Sequence, residues 1–189
     1  AFVETRRGSA LGVSLERREF SYRSLGDDAS DEQYAANLDR TEDSGFVELD
    51  YRVFSRSFLF VRGGLTDYSF DHLQSAWRNA GSVEVYGGIK LPLTGSLKGG
   101  LSLGWKKFTP DSEERRGFSG LIGEGSVDYR AGKFALSLGY VRDNFFSYID
   151  KAYYYVENRF KGGVSFYLFP FLRLDYTLNR SRMSYPEAY

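Results

Sequence analysis

Glu48, Asp50 and Arg52 stand two residues apart, and Val47, Leu49, Tyr51 and Val53 fill the positions between them. A charge at every second position puts all three on one face of an extended chain and the apolar residues on the other. The same placement recurs at Arg62, at Glu84 and Lys90, at Lys98 and Lys106, at Glu124 and Asp128, at Arg159 and Lys161, and at Arg173 and Asp175. Such a row can line a passage and bias it towards anions or acidic sugars. It can also pair across strands and merely line or close that space, which the balance of signs favours. A closed, packed interior could not hold so many charges without water or dense pairing. Tyr86, Phe108 and Tyr167 lie on the same row, where a ring can stack against a sugar's C–H face or fill space.

Other reactive residue types are sparse. His72 is the only histidine and there is no cysteine, so a metal site or an activated nucleophile lacks partners. Ser69 and Ser75 are near His72 in the chain, without a hydrolase motif around them. Gly120, Gly123 and Gly125 scramble the dinucleotide fingerprint on a strand with no helix to follow, and Gly132-Lys133 lacks the rest of a phosphate loop. Asn179-Arg180-Ser181 is formally a glycosylation sequon, a three-residue match too short to carry meaning by itself. The expectation is a non-enzyme with no cofactor and no metal.

The elements that carry the charged row are strands. Tyrosine at 15, phenylalanine at 16 and glycine at 21 favour strands and turns over helices. Alternation predicts nine of them, near 10–22, 46–54, 58–70, 82–93, 97–108, 117–130, 133–147, 153–169 and 171–184, with a tenth partial strand at 2–6. Their connections alternate strictly in length. Ser55–Ser57, Thr94-Gly95, Ala131-Gly132 and Phe169-Pro170 are tight, whereas 23–45, 71–81, 109–116 and 147–151 are long and polar. The longest carries Asp27, Asp28, Asp31, Glu32 and Asp39 and reads as a solvated loop. Short turns at one end and long loops at the other are the habit of bacterial outer-membrane barrels.

Which face meets which solvent follows from three features. The strands exceed the usual globular length and match a tilted membrane crossing. Aromatic residues, among them Trp105, Tyr129, Phe134, Tyr140 and Phe166, sit towards the ends of the apolar row, as in an interfacial girdle. The other row is charged at mid-strand. Leu49, Val85, Leu101, Leu103, Trp105, Leu136, Leu138, Tyr140, Leu172 and Leu174 are therefore the lipid-facing candidates, and the charged row is the lumen-lining set. A soluble sandwich or a lipocalin-like soluble barrel alternates in the same way and stays open as a competing reading.

The formal net charge is zero, 25 basic residues against 25 acidic, so the basic field of a nucleic-acid binder is missing. No apolar run is long enough for a membrane helix. The opening Ala1-Phe-Val-Glu-Thr-Arg-Arg reads as mature or internal sequence rather than a signal peptide. With the short turns periplasmic, the chain both starts and ends on the external side. The expectation is one domain, residues 1–189, forming an internal segment of a larger antiparallel up-and-down transmembrane β-barrel.

Three stretches carry a resemblance. Gly117-Phe-Ser-Gly-Leu-Ile-Gly-Glu-Gly-Ser-Val-Asp-Tyr129, then Leu136-x-Leu138-x-Tyr140-x-Arg142-Asp143, then Tyr153-Tyr-Tyr-Val-x-x-Arg159 resemble the β-barrel porin 2 family of Gram-negative outer-membrane proteins, often associated with exopolysaccharide systems. The motifs are general barrel motifs, and the amino-terminal half matches only in pattern. The resemblance implies an outer-membrane channel-like barrel and a polysaccharide as one candidate cargo, and it supplies no catalytic residues.

The expected function is passage or export of a polar solute through the lumen of a porin-like barrel in the bacterial outer membrane. The expected partners are the lipid bilayer and polysaccharide or other components of an outer-membrane assembly. The competing reading is a plugged scaffold that holds a periplasmic or electron-transfer partner in that membrane.

Overall fold

The alternation resolves into one antiparallel sheet whose strands are neighbours in chain order. The computed structural model describes residues 2–4, 8–22, 37–54, 56–91, 96–113, 115–147, 152–169 and 171–186. The strands are β1 (Phe2–Glu4), β2 (Ser9–Phe20), β3 (Arg40–Phe54), β4 (Ser57–Phe70), β5 (Ala80–Leu91), β6 (Leu97–Pro110), β7 (Phe118–Ala131), β8 (Phe134–Phe146), β9 (Tyr154–Phe169) and β10 (Leu172–Ser184). Nine of them are long, and β1 is a three-residue pairing with Ala10–Gly12. The expected all-β, up-and-down meander is therefore what the chain forms.

Two local features differ from expectation. β3 starts at Arg40, not near residue 46, and pairs from there with both Phe20 and Phe70. Arg40–Ser44 is polar on both faces, so it carries no apolar row to announce a strand. Its side chains are tied instead by Arg17–Asp43, Nε to Oδ1 2.7 Å, and Arg40–Glu42, Nε to Oε1 2.8 Å. The link between β4 and β5 holds a single 3-10 turn, Ala76–Arg78. Of the acidic residues expected in the longest loop, Asp27, Asp28, Asp31 and Glu32 lie outside the described residues.

Phe54 pairs with Ser57 and Phe169 with Leu172, so the links between β3 and β4 and between β9 and β10 are short, while the expected Thr94-Gly95 turn lies outside the described residues. At β7–β8 the last pair is Ala131 with Phe134, so the turn proper is Gly132-Lys133, one residue on from the Ala131-Gly132 expected. Gly132 has φ +54° while no non-glycine among the described residues has positive φ, which suits a two-residue hairpin with glycine at its first position.

The sheet is rolled but not closed. Lys90 on β5 binds Glu48 and Asp50 on β3, and Lys106 on β6 binds Asp143 on β8; each contact skips a strand. Cross-strand glycines let the inner face bend and fill. Phe46 on β3 lies across Gly64 on β4, and Phe60 on β4 lies across Gly88 on β5. A Cβ added at Gly88 would stand 2.6 Å from the Phe60 ring, so no other residue fits beneath it unchanged. Among the described residues, the outer edges of β10 and of β2 beyond Val13 have no strand partner.

The seam between β7 and β8 is incomplete. Pairing runs from the turn to Gly123–Arg142 and stops, although β7 continues to Phe118 and β8 to Phe146. That wedge is where the buried apolar cluster sits: Ala80, Phe108, Phe118, Ile122, Tyr153, Tyr154 and Val156, with Tyr68, Trp77, Tyr86 and Phe146 packed on it.

Candidate functional site

The two faces of the rolled sheet differ in kind. On the convex side Leu49, Val85, Leu101, Leu103, Trp105, Leu138, Tyr140, Leu172 and Leu174 are exposed, and Leu136 is half-buried between Tyr129 and Val164. Leu11, Val13, Val47, Leu59, Val61, Leu65, Val83, Leu121, Val127, Phe160, Val164 and Phe166 join them. Apolar exposure on this scale far exceeds what a monomer leaves to water. From Leu97 to Trp105 the strand itself extends about 26 Å at the usual rise per residue.

The concave side gathers the charged row. A cavity of about 530 Å³ is lined by Glu48, Arg62, Glu84, Lys90, Glu124, Arg159 and Lys161, together with Phe60, Tyr86, Ser102 and Ser126. These residues come from β3 through β9, so the cavity exists only because the sheet rolls. Lys90 Nζ is 2.6 Å from Glu48 Oε1 and 2.8 Å from Asp50 Oδ1, and it lies 4.9 Å from the centre of the Phe60 ring. Arg159 binds Glu157, Nε to Oε1 2.8 Å, and Ser181 Oγ donates to the same carboxylate at 2.6 Å. The Arg62 guanidinium stacks on Phe46 at 4.0 Å rather than on a carboxylate. Arg52 lies over Phe58 at 5.3 Å. Ser102, 4 % exposed, has its Oγ buried in this cavity wall without a hydrogen-bond partner. A buried hydroxyl of that kind is what water or a solute hydroxyl in the cavity satisfies.

Towards the tight turns, Lys98, Asp128, Ser137, Ser165, Tyr167 and Arg173 line a second cavity of about 400 Å³. Lys98 stands opposite Asp128 in register. Arg173 Nε donates to Asp175 at 2.6 Å, and Ser165 Oγ donates to the same carboxylate.

Towards the long connections the concave side closes in two layers. The first is Lys106, whose side chain is 6 % exposed, with Asp143 Oδ1 at 3.2 Å and Glu84 Oε2 at 3.8 Å. The second is aromatic. Tyr68, Phe70 and Phe108 each meet the Phe146 ring edge-on at 5.0 to 5.3 Å between centroids. Tyr153 packs on Trp77, Phe108 and Phe146. Arg40 extends the layer towards β2, lying 4.3 Å from Phe20 and 5.3 Å from Phe146. The β4–β5 connection is pinned onto this layer. Tyr153 OH donates to Arg78 O at 2.6 Å, and Arg78 Nη1 donates to Ser147 O at 2.8 Å.

His72 sits outside this arrangement, half-exposed, with Nε2 3.7 Å from Asp39 Oδ2. Ser75 Oγ donates to the backbone O of His72 and Ser69 Oγ to Asp67, so neither hydroxyl is directed to the imidazole. Among the described residues no group of three or more His, Asp or Glu is placed to hold a metal ion.

Two site residues were not legible as such. Asp143 holds the expected Lys106, and Arg78 is a buried arginine in a connection that reads as surface. Glu157, which holds Arg159, belongs to the charged row that the alternation gives. Asp143 depends on the roll of the sheet. No known protein family, curated protein or solved structure matches the chain.

Proposed function

We propose that the chain is wall and lining of a transmembrane β-barrel in a bacterial outer membrane, and that its concave face carries a polar solute. The observation that carries this reading is the opposition of the two faces. One side exposes a continuous apolar band, and the other presents a charged cavity. Bilayer on one side and water on the other solvate both without cost. A soluble barrel would place the apolar row inside.

Among the described residues the sheet ends on β10 and on β1, which covers only Ala10–Gly12 of β2, so most of both outer edges is open. β10 is exposed along its whole length. Further antiparallel strands laid on these edges complete a larger barrel and remove the bare edges. The resemblance to the β-barrel porin 2 family points the same way and makes a polysaccharide the cargo to try first.

A second reading, the plugged scaffold, is favoured by one specific feature. The Lys106 layer and the aromatic layer cross the concave side at the end of the long connections. The deciding experiment is conductance of the full-length protein in a planar lipid bilayer, with and without an acidic polysaccharide. Discrete steps that the polymer blocks support the conduit. Insertion without steps overturns it and supports the scaffold. Stable solubility without detergent overturns both.

A further inference from the structure

The convex face changes character where β8, β9 and β10 approach the long connections. Along β10 the outward row runs Leu174, Tyr176, Leu178 and then Arg180 and Arg182. In register, Arg182 stands opposite Asn158 on β9, and Asn158 stands opposite Arg142 on β8. One step towards the turns, Arg180 stands opposite Phe160, and Phe160 opposite Tyr140. Three arginines thus stand on one face of β8 and β10, the two strands that flank β9, at the border of the apolar band.

Their bonding differs from that of the strand arginines held by carboxylates and from that of Arg62, which stacks on the Phe46 ring of the concave side. Arg17, Arg40, Arg159 and Arg173 each hold a carboxylate. Among the described residues no ion pair reaches Arg142, Arg180 or Arg182. Arg142 is held by neutral acceptors, Nε to Leu121 O at 3.0 Å and Nη1 to Asn158 Oδ1 at 2.9 Å. Tyr140 OH donates to the same Asn158 oxygen at 2.9 Å, so that acceptor is occupied from both sides. The guanidinium is therefore oriented but not neutralised.

We infer that Arg142, Arg180 and Arg182 bind the phosphate of a membrane lipid headgroup. The inference rests on the transmembrane reading of the convex face. Planar guanidinium groups match phosphate oxygens in pairs, which fits an anion that brings two or three acceptors to one spot. A lipid fits better than a free anion because the patch continues into Tyr140, Phe160, Tyr176 and Leu178. An acyl chain below the phosphate lies on exactly that kind of exposed apolar surface, whereas a free anion would leave it bare. The patch faces away from the charged cavity, so this ligand is not the transported solute.

The test uses the full-length protein in nanodiscs of phosphatidylcholine containing phosphatidic acid, whose headgroup is a phosphomonoester. Mass spectrometry of the lipids retained on mild delipidation is expected to find phosphatidic acid enriched about ten-fold over its bulk fraction, given several basic groups beside an anionic headgroup. R142Q/R180Q/R182Q is expected to return the ratio to the bulk value. R180Q/R182Q keeps every Arg142 hydrogen bond and is expected to lose most of the enrichment, which guards against a folding defect in the triple variant. No enrichment in the wild type, or enrichment unchanged in both variants, overturns the site. Equal loss of enrichment on adding millimolar inorganic phosphate overturns the lipid assignment in favour of a simple phosphate site. Membrane insertion is scored separately by flotation with vesicles. If the wild-type chain does not float, the transmembrane reading falls and takes this inference with it; flotation without enrichment sinks the inference alone.

Discussion

Lys106 on β6 reaches past β7 to Asp143 on β8, Nζ to Oδ1 3.2 Å, while Glu84 on β5 stands 3.8 Å away on its other side. One cation thus serves two carboxylates from strands that are not neighbours of each other, and the roll of the sheet is what brings them together. Lys106→Met removes the cation and leaves two acidic groups in a largely buried place. The expected loss is about 3–5 kcal/mol, the range for breaking a buried pair from one side. Urea unfolding in a fixed lipid or detergent background measures it. Lys106→Met with Asp143→Asn should regain part of that loss, and a single-variant loss below about 1 kcal/mol would mean the layer is wet.

The orientation of the faces is tested by arginine placed on either side. Leu103, 59 % exposed on the convex face, becomes costly to charge if lipid covers it. Leu103→Arg is expected to destabilise by about 2–4 kcal/mol, and Ser126→Arg in the cavity wall by much less. Chemical unfolding of both variants in vesicles ranks them, and the opposite ranking would invert the faces.

Gly64 lies beneath the Phe46 ring, and an added Cβ would overlap that ring while touching Glu84 Cγ at 3.2 Å. Gly64→Ala should therefore cost about 1–3 kcal/mol as an overpacked site. The obstacles are all side chains, so Gly64→Ala combined with Phe46→Ala should cost less than the two singles summed. A strictly additive double-mutant cycle would show that the ring and the glycine do not interact.

Tyr153→Phe removes the hydroxyl that holds the β4–β5 connection through Arg78 O and Asn79 O. The buried ring contacts stay, so global stability should fall by only about 1–2 kcal/mol. Limited proteolysis should nevertheless show faster cleavage within residues 72–79, and unchanged cleavage there would mean that ring packing alone pins this connection.

The strands were legible because one solvent on each face writes a period of two into the chain. That signal fades where both faces are polar, which is why Arg40–Ser44 reads as loop although it is β3. It also fails at Phe146. Counting from Asp143, alternation puts Phe146 on the other face, yet it packs against Tyr68 and Phe108 on the concave side. The unpaired end of the β7–β8 seam permits this, and no local pattern announces where a seam stops. The charged row shared the same legibility, whereas its pairings did not. Lys90 with Glu48 and Lys106 with Asp143 depend on curvature, a property of the whole sheet. Tight turns fix the order of the strands but not how far the sheet curls.

The aromatic cluster at the end of the long connections is the one cluster of buried apolar residues among the described residues. Nearer the tight turns order rests on backbone pairing, on exposed or half-buried ties such as Lys90–Asp50 and Arg173–Asp175, and on whatever medium bathes the two faces. Order in this molecule is therefore anchored at one rim. When the bilayer is replaced by a poorer amphiphile, amide hydrogens near Gly132 and Leu172 should exchange first, and the front should climb towards Phe108 and Tyr153, which will be the last to let deuterium in.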